Sequence, residues 1–191
     1  MKKGFTIVEV SILFIIFLIV AFLVAPLSLD DTKQAQNTSR WRSVQQDFSN
    51  IFYAISNQKI EGYNFVDSLN SVLDGEVKCD IPTYKITYMN GSYPDKEYKF
   101  NTFKQTYSNA TIANNVLEES PDGRLATIMY DVNGKMGPNV WGKDVFGLNI
   151  YADRFEPFGK NSSVSKQKQD CSRNGTGLSC SNYYLIGGSF D

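Results

Sequence analysis

Residues 10–29 constrain this chain more than any other feature: twenty consecutive residues, mostly apolar, without a charge. A helix needs about 20 such residues to cross the roughly 30 Å hydrocarbon core of a bilayer. A spanning or anchoring helix is therefore expected there, and the rest of the chain must be organised around it. The inner edge of the segment carries one carboxylate, Glu9. An ionisable group inside a span costs about 2.5–3.5 kcal/mol on insertion scales and less at its edge. Glu9 is either snorkelling to the interface or held for a partner.

The flanks narrow the reading. Met1-Lys2-Lys3-Gly4 is a short basic leader, and Phe5-Thr6-Ile7-Val8-Glu9-Val10 follows with no polar break. A secretory signal has an apolar core of about 7–15 residues and then a small-residue cleavage site. Here the core is longer, and a cut after Ala25 would leave Pro26 as the first residue. An ordinary signal peptide is rejected on those grounds. Lys2 and Lys3 orient the span with its N-terminus in the cytoplasm and the remainder of the chain outside.

Beyond the apolar run the helix is expected to continue. Trp41, Val44, Phe48, Ile51, Phe52 and Ile55 recur at spacings of three and four. That spacing places them on one face of a 3.6-residue helix, as a stripe for packing against a core. Pro26 removes a backbone donor, so a bend is expected there.

The segment Gly4-Phe5-Thr6-Ile7-Val8-Glu9 resembles the processing site of type IV pilins and of the pseudopilins of type II secretion. Pro26, at its distance from Gly4, fits the same family. The close likeness covers residues 1–60; beyond them it is architectural. It implies cleavage after Gly4 and N-methylation of Phe5 by a prepilin peptidase/methyltransferase. It also implies a single-pass protein of the cytoplasmic (inner) membrane, surrounded by lipid until an inner-membrane assembly platform passes it to a filament. That filament of pilin or pseudopilin subunits is periplasmic or extracellular. Glu9 would then pair with the Phe5 amine of a neighbouring subunit, setting register more than strength, because desolvation cancels much of the Coulombic gain.

The fold implied is α+β and pilin-like, a long N-terminal α-helix packed on an antiparallel β-sheet head. Residues 1–4 form the leader, 5–29 the transmembrane helix, 30–60 its amphipathic continuation and 61–191 a β-rich head. Strands are expected at residues 81–89, with the Asn90-Gly91 turn signal after them, and at 98–107. A second pair is expected at 124–130 and 145–151, a last strand at 183–186, and a short helix at 66–73.

The clearest motif of the head, residues 131–144, joins the second strand pair. Asp131, Asn133, Asn139 and Asp144 supply the hard oxygen ligands that calcium prefers, and glycines lie between them. Gly134 arrives too early for an EF-hand, and no glutamate closes the loop at its twelfth position. The other reading is a glycine-rich turn in which Asp131 and Asn133 bond their own backbone. No cofactor is required, with calcium the one candidate.

Cys79, Cys171 and Cys180 allow three pairings. Cys171 and Cys180 enclose eight residues rich in Gly, Ser and Asn, and the likeness to pilins, many of which close a C-terminal loop this way, favours that pair. With no histidine, Ser-His and Cys-His chemistry has no base and histidine-dependent metal centres are excluded. The adjacent acids Glu118-Glu119 read as an exposed turn, and no enzyme is expected. Without Lys2, Lys3 and Glu9 the chain has 17 basic and 19 acidic side chains, a net of −2 that does not indicate nucleic acid. Lys160, Lys166, Lys168 and Arg173 form a local basic stretch that reads as a solvated loop. It is the sole support for the alternative function, a minor pilin whose head binds DNA or a surface.

Overall fold

The computed structural model describes residues 7–57, 77–82, 84–95, 98–100, 103–117 and 120–190, with the side chains at 23–31, 51, 54–57, 77 and 116 left out of the description. Gly4, Phe5, Glu118, Glu119 and the helix expected at 66–73 lie outside these residues. The fold is α+β. Helix α1 runs over Ile7–Asn57, and the chain divides into two units, Met1–Gln36 and Asn37–Asp191.

From Val10 to Phe22 α1 carries no charged side chain. Each large apolar side chain from Ile7 to Phe22 is at least half exposed, and Glu9 lies in the first turn. Among the described residues no helix is long and apolar enough to cross a membrane. The span expected at residues 10–29 runs into side chains 23–31, which with the bend expected at Pro26 lie outside the description.

The second unit is built on a six-stranded antiparallel sheet whose strands lie side by side in chain order. They are β1 Val77–Ile81, β2 Phe103–Thr106, β3 Thr111–Val116, β4 Ala126–Asp131, β5 Val145–Ile150 and β6 Phe155–Pro157. Alternation of side chains across a strand explains the core. Ile128 of β4 and Phe146, Leu148 and Ile150 of β5 face one apolar cluster with Trp41 and Phe48 of α1. Met129 and Val145 face the other cluster, with Phe103, Trp141 and Phe158. These central strands are covered on both faces, so they read as near-continuous apolar runs.

The outer stretch of α1 uses the stripe anticipated from its spacing. Trp41 is fully buried, stacks on Phe146 at 4.9 Å and donates its indole N–H to the Ser181 carbonyl at 2.8 Å. Phe48 meets Tyr130 edge-on at 6.3 Å, and Phe52 meets Phe155 at 5.8 Å. Arg42 donates twice to the Tyr184 carbonyl, at 3.1 and 2.8 Å.

Three local expectations are corrected. Residues 81–89 do not form a strand: β1 ends at Ile81, where Pro82 has no amide to donate, and Thr87 makes only an isolated bridge to Val140. The turn after them is real, with Gly91 at φ 82° donating to the Tyr88 carbonyl at 3.0 Å. Residues 183–186 are not extended: Tyr183 ends helix α3 (Cys180–Tyr183), and residues 184–186 follow in turns closed by i to i+3 and i+4 bonds. The basic stretch is not a plain loop, because Lys166 and Lys168 sit on helix α2 (Val164–Asp170), whose first turn is capped by the Ser163 hydroxyl. Cys171 and Cys180 are disulfide-bonded, with Cα atoms 5.0 Å apart, and Cys79 is free and exposed.

Candidate functional site

The loop between β4 and β5 is organised by the aspartates at its two ends. Asp144 accepts the Val140 amide at 2.7 Å on one oxygen, and on the other the Asn139 amide at 2.9 Å and the Asn133 side-chain amide at 3.3 Å. Asp131 accepts its own Asn133 amide at 3.1 Å and the Tyr84 hydroxyl at 2.7 Å. The Asx turn anticipated at Asp131 is therefore present. Gly134 and Asn139 take the left-handed conformation, φ 68° and 55°, and the Gly137-Pro138 peptide is cis. A side chain at Gly134 would strike the Asn109 carbonyl, so glycine is required there on two counts.

Neighbouring elements hold the loop from both sides. Thr87 exchanges backbone hydrogen bonds with it, donating to Asn139 at 3.1 Å and accepting from Trp141 at 2.9 Å. From α1, Asn37 donates to the Lys143 carbonyl at 3.3 Å and Arg40 to the Val132 carbonyl at 3.4 Å. Trp141 then enters the second apolar cluster fully buried, 5.7 Å from Phe158. One motif thus fastens helix, sheet and the 84–89 segment together.

Both carboxylates are fully buried. Burial, and then the nearby Asp144 charge, push Asp131 up to about 8, against the opposing donors Tyr84, Asn133 and Gly134. Asp144 is also raised by burial, although the amides of Val140 and Asn139 resist the shift. Tyr84 is raised as well, first by burial and then by the Asp131 charge.

The donor set around the pair suits a hard cation. Asn133 Oδ1 and Asn139 Oδ1 are buried atoms without a hydrogen-bond partner among the described residues, and Thr111 lies directly across the sheet from Asp131. Among the described residues of the loop the candidate ligands are oxygens, the type calcium takes. Among the described residues no group of three or more His, Cys, Asp or Glu comes together, so two carboxylates and neutral oxygens are the full complement. Of the four residues anticipated as ligands, Asn133 and Asn139 bond Asp144 directly, and Asp131 joins them through the Asn133 amide. Tyr84 and Thr111 were not anticipated, since they reach the loop through sheet register and a distant segment that no local spacing encodes.

No family model, curated protein or solved structure matches the chain.

Proposed function

We propose that this chain is a structural subunit of a type IV pilus or type II secretion pseudopilus, cleaved after Gly4, N-methylated on Phe5 and assembled through its apolar helix. The observation that carries the reading is the exposed apolar surface of α1 in the first unit. Thirteen large apolar side chains from Ile7 to Phe22 are at least half exposed, with no charge after Glu9. That surface is on the order of 1,000 Å², beyond the few hundred Å² in the largest apolar patches of soluble monomers. Covering it is worth roughly 25 kcal/mol at 25 cal/mol per Å². Lipid first and the helices of neighbouring subunits afterwards would supply that cover. Glu9, at the inner end of this surface, pairs in the filament with a neighbour's Phe5 amine and fixes the axial offset.

Mass spectrometry of the mature N-terminus tests the processing. The expected product begins at a monomethylated Phe5, and retention of Met1 to Gly4 in assembled material would refute the proposal. Glu9→Leu is expected to reduce filament assembly severely while leaving membrane insertion intact. Assembly of that variant at the wild-type rate would remove Glu9 from the mechanism.

A second reading is favoured by the side-chain oxygens of Asn133 and Asn139, which are buried with no hydrogen-bond partner among the described residues: calcium binds between Asp131 and Asp144 and rigidifies the head. Calcium is expected to raise the melting temperature and a chelator to lower it, with the difference abolished by Asp131→Ala. Equal melting in calcium and chelator would leave the loop a purely hydrogen-bonded clasp.

A further inference from the structure

We propose that the head binds a small planar aromatic carboxylate in the cleft walled by Tyr84, Tyr98 and Phe103. This inference is independent of filament assembly. The cleft encloses about 320 Å³, within the range of roughly 300–1,000 Å³ typical of small-molecule sites. Tyr84, Tyr93, Tyr98, Phe100 and Phe103 supply ring surfaces to it. Flat rings offer offset-stacked and edge-on contacts to another flat ring, and much less to a branched aliphatic ligand.

The walls are fastened from behind, which keeps the space open. Tyr84 stacks on Phe103 at 4.6 Å, and its hydroxyl is committed to Asp131 at 2.7 Å. Tyr98 abuts Trp141 at 6.3 Å and Phe158 at 5.3 Å, both edge-on and both fully or almost fully buried. Rings held this way lose little freedom when a ligand arrives, so less of the contact energy goes into ordering the site.

Charge selects the ligand. Lys85 and Lys99 are the charged side chains among the described lining residues, both exposed, and neither forms an ion pair with a described residue. A cation would be repelled, and a neutral ring would gain the stacking alone. A ring bearing a carboxylate satisfies the stacking surfaces and an ammonium together. The attraction acts at a wet rim, so it should sharpen selection between ligands more than it raises affinity.

The test uses the full chain kept in solution by an amphipathic polymer, with a fluorinated naphthoate as probe and its neutral amide as comparison, both followed by fluorine NMR. Saturable binding is expected, with the carboxylate held about fivefold more tightly than the amide, the factor one or two exposed ion pairs provide. The double variant Lys85→Gln, Lys99→Gln should equalise the two probes while leaving the affinity for the amide unchanged; both positions are exposed, so the fold is unaffected. Tyr98→Leu should weaken both probes. Equal affinity of the two probes for the wild-type chain, a preference that survives loss of both lysines, or no saturable binding of either probe would each overturn the proposal.

Discussion

Replacing Trp41 should loosen the head more than any other single change in α1, and the size of the loss can be worked out from its surroundings. Its ring is fully buried, lies nearly parallel to Phe146 at an interplanar angle of 14°, and its indole N–H is the donor to the Ser181 carbonyl. Trp41→Ala removes the packing and leaves a cavity, a change that costs about 3–5 kcal/mol in well-packed cores. Trp41→Phe retains much of the apolar contact but strands the buried Ser181 carbonyl, a loss of about 1–2 kcal/mol. Urea unfolding of the full chain, followed by near-ultraviolet circular dichroism at fixed pH, separates the two terms. For a unit of this size the alanine variant should melt about 10 °C lower. If both variants stayed within about 0.5 kcal/mol of wild type, the helix would not be anchored to the sheet through this residue and the packing argument would fail.

The remaining expectations concern the loop, the C-terminal closure and a glycine contact. Asp131 keeps its proton up to about pH 8 when folded, against a reference value of 3.8, so the folded state binds more protons between these values. Stability should therefore fall as pH rises through that window, by at most about 1.4 kcal/mol per pH unit for one proton. Asp144, raised by burial as well, adds to this fall, whereas Asp122, Glu156 and Asp170 are held low and oppose it only below about pH 6, where their unfolded forms begin to take up protons. Asp131→Asn should reduce the dependence to the part Asp144 contributes and stabilise the head at pH 8 relative to wild type, as read by urea midpoints at pH 5 and 8. Reduction of Cys171–Cys180, which are nine residues apart, should cost about 2–3 kcal/mol on the loop-entropy argument. The check is the urea midpoint with and without reductant. Gly177→Ala should cost more than about 2 kcal/mol, because Gly177 has φ 83° and an added side chain would strike the Trp141 carbonyl; thermal melting would show it.

Much of the head was legible where a physical signal is local. The strand pair expected at residues 124–130 and 145–151 corresponds to β4 and β5, and Trp41, Val44 and Phe48 fall in or against the first core cluster as their spacing implied. The signal failed where long-range context decides. Residues 81–89 carry aromatic and β-branched residues because they pack into the second cluster beside Trp141, and not because they join a ladder. Residues 183–186 look extended, yet they close the short helix that starts at the disulfide-bonded Cys180 and the turns that follow it. β3 has two adjacent asparagines, Asn114 and Asn115, and no clean alternation of its own; pairing with β4 through six residues makes it a strand.

By itself the sequence determined three things, each dependent on residues close together in the chain. They are the uncharged apolar run with Glu9 at its edge, the helical stripe that follows, and the oxygen-rich loop at residues 131–144. The tertiary structure decided which cysteine stays free, how Tyr84 and Thr111 come to the aspartate pair, and that five aromatic rings and two lysines surround one cleft. Those outcomes depend on register and on contacts between residues far apart in the chain, such as the 47 positions between Tyr84 and Asp131. Local spacing carries no information about such meetings, because they exist only once the sheet has formed and the core has chosen its neighbours.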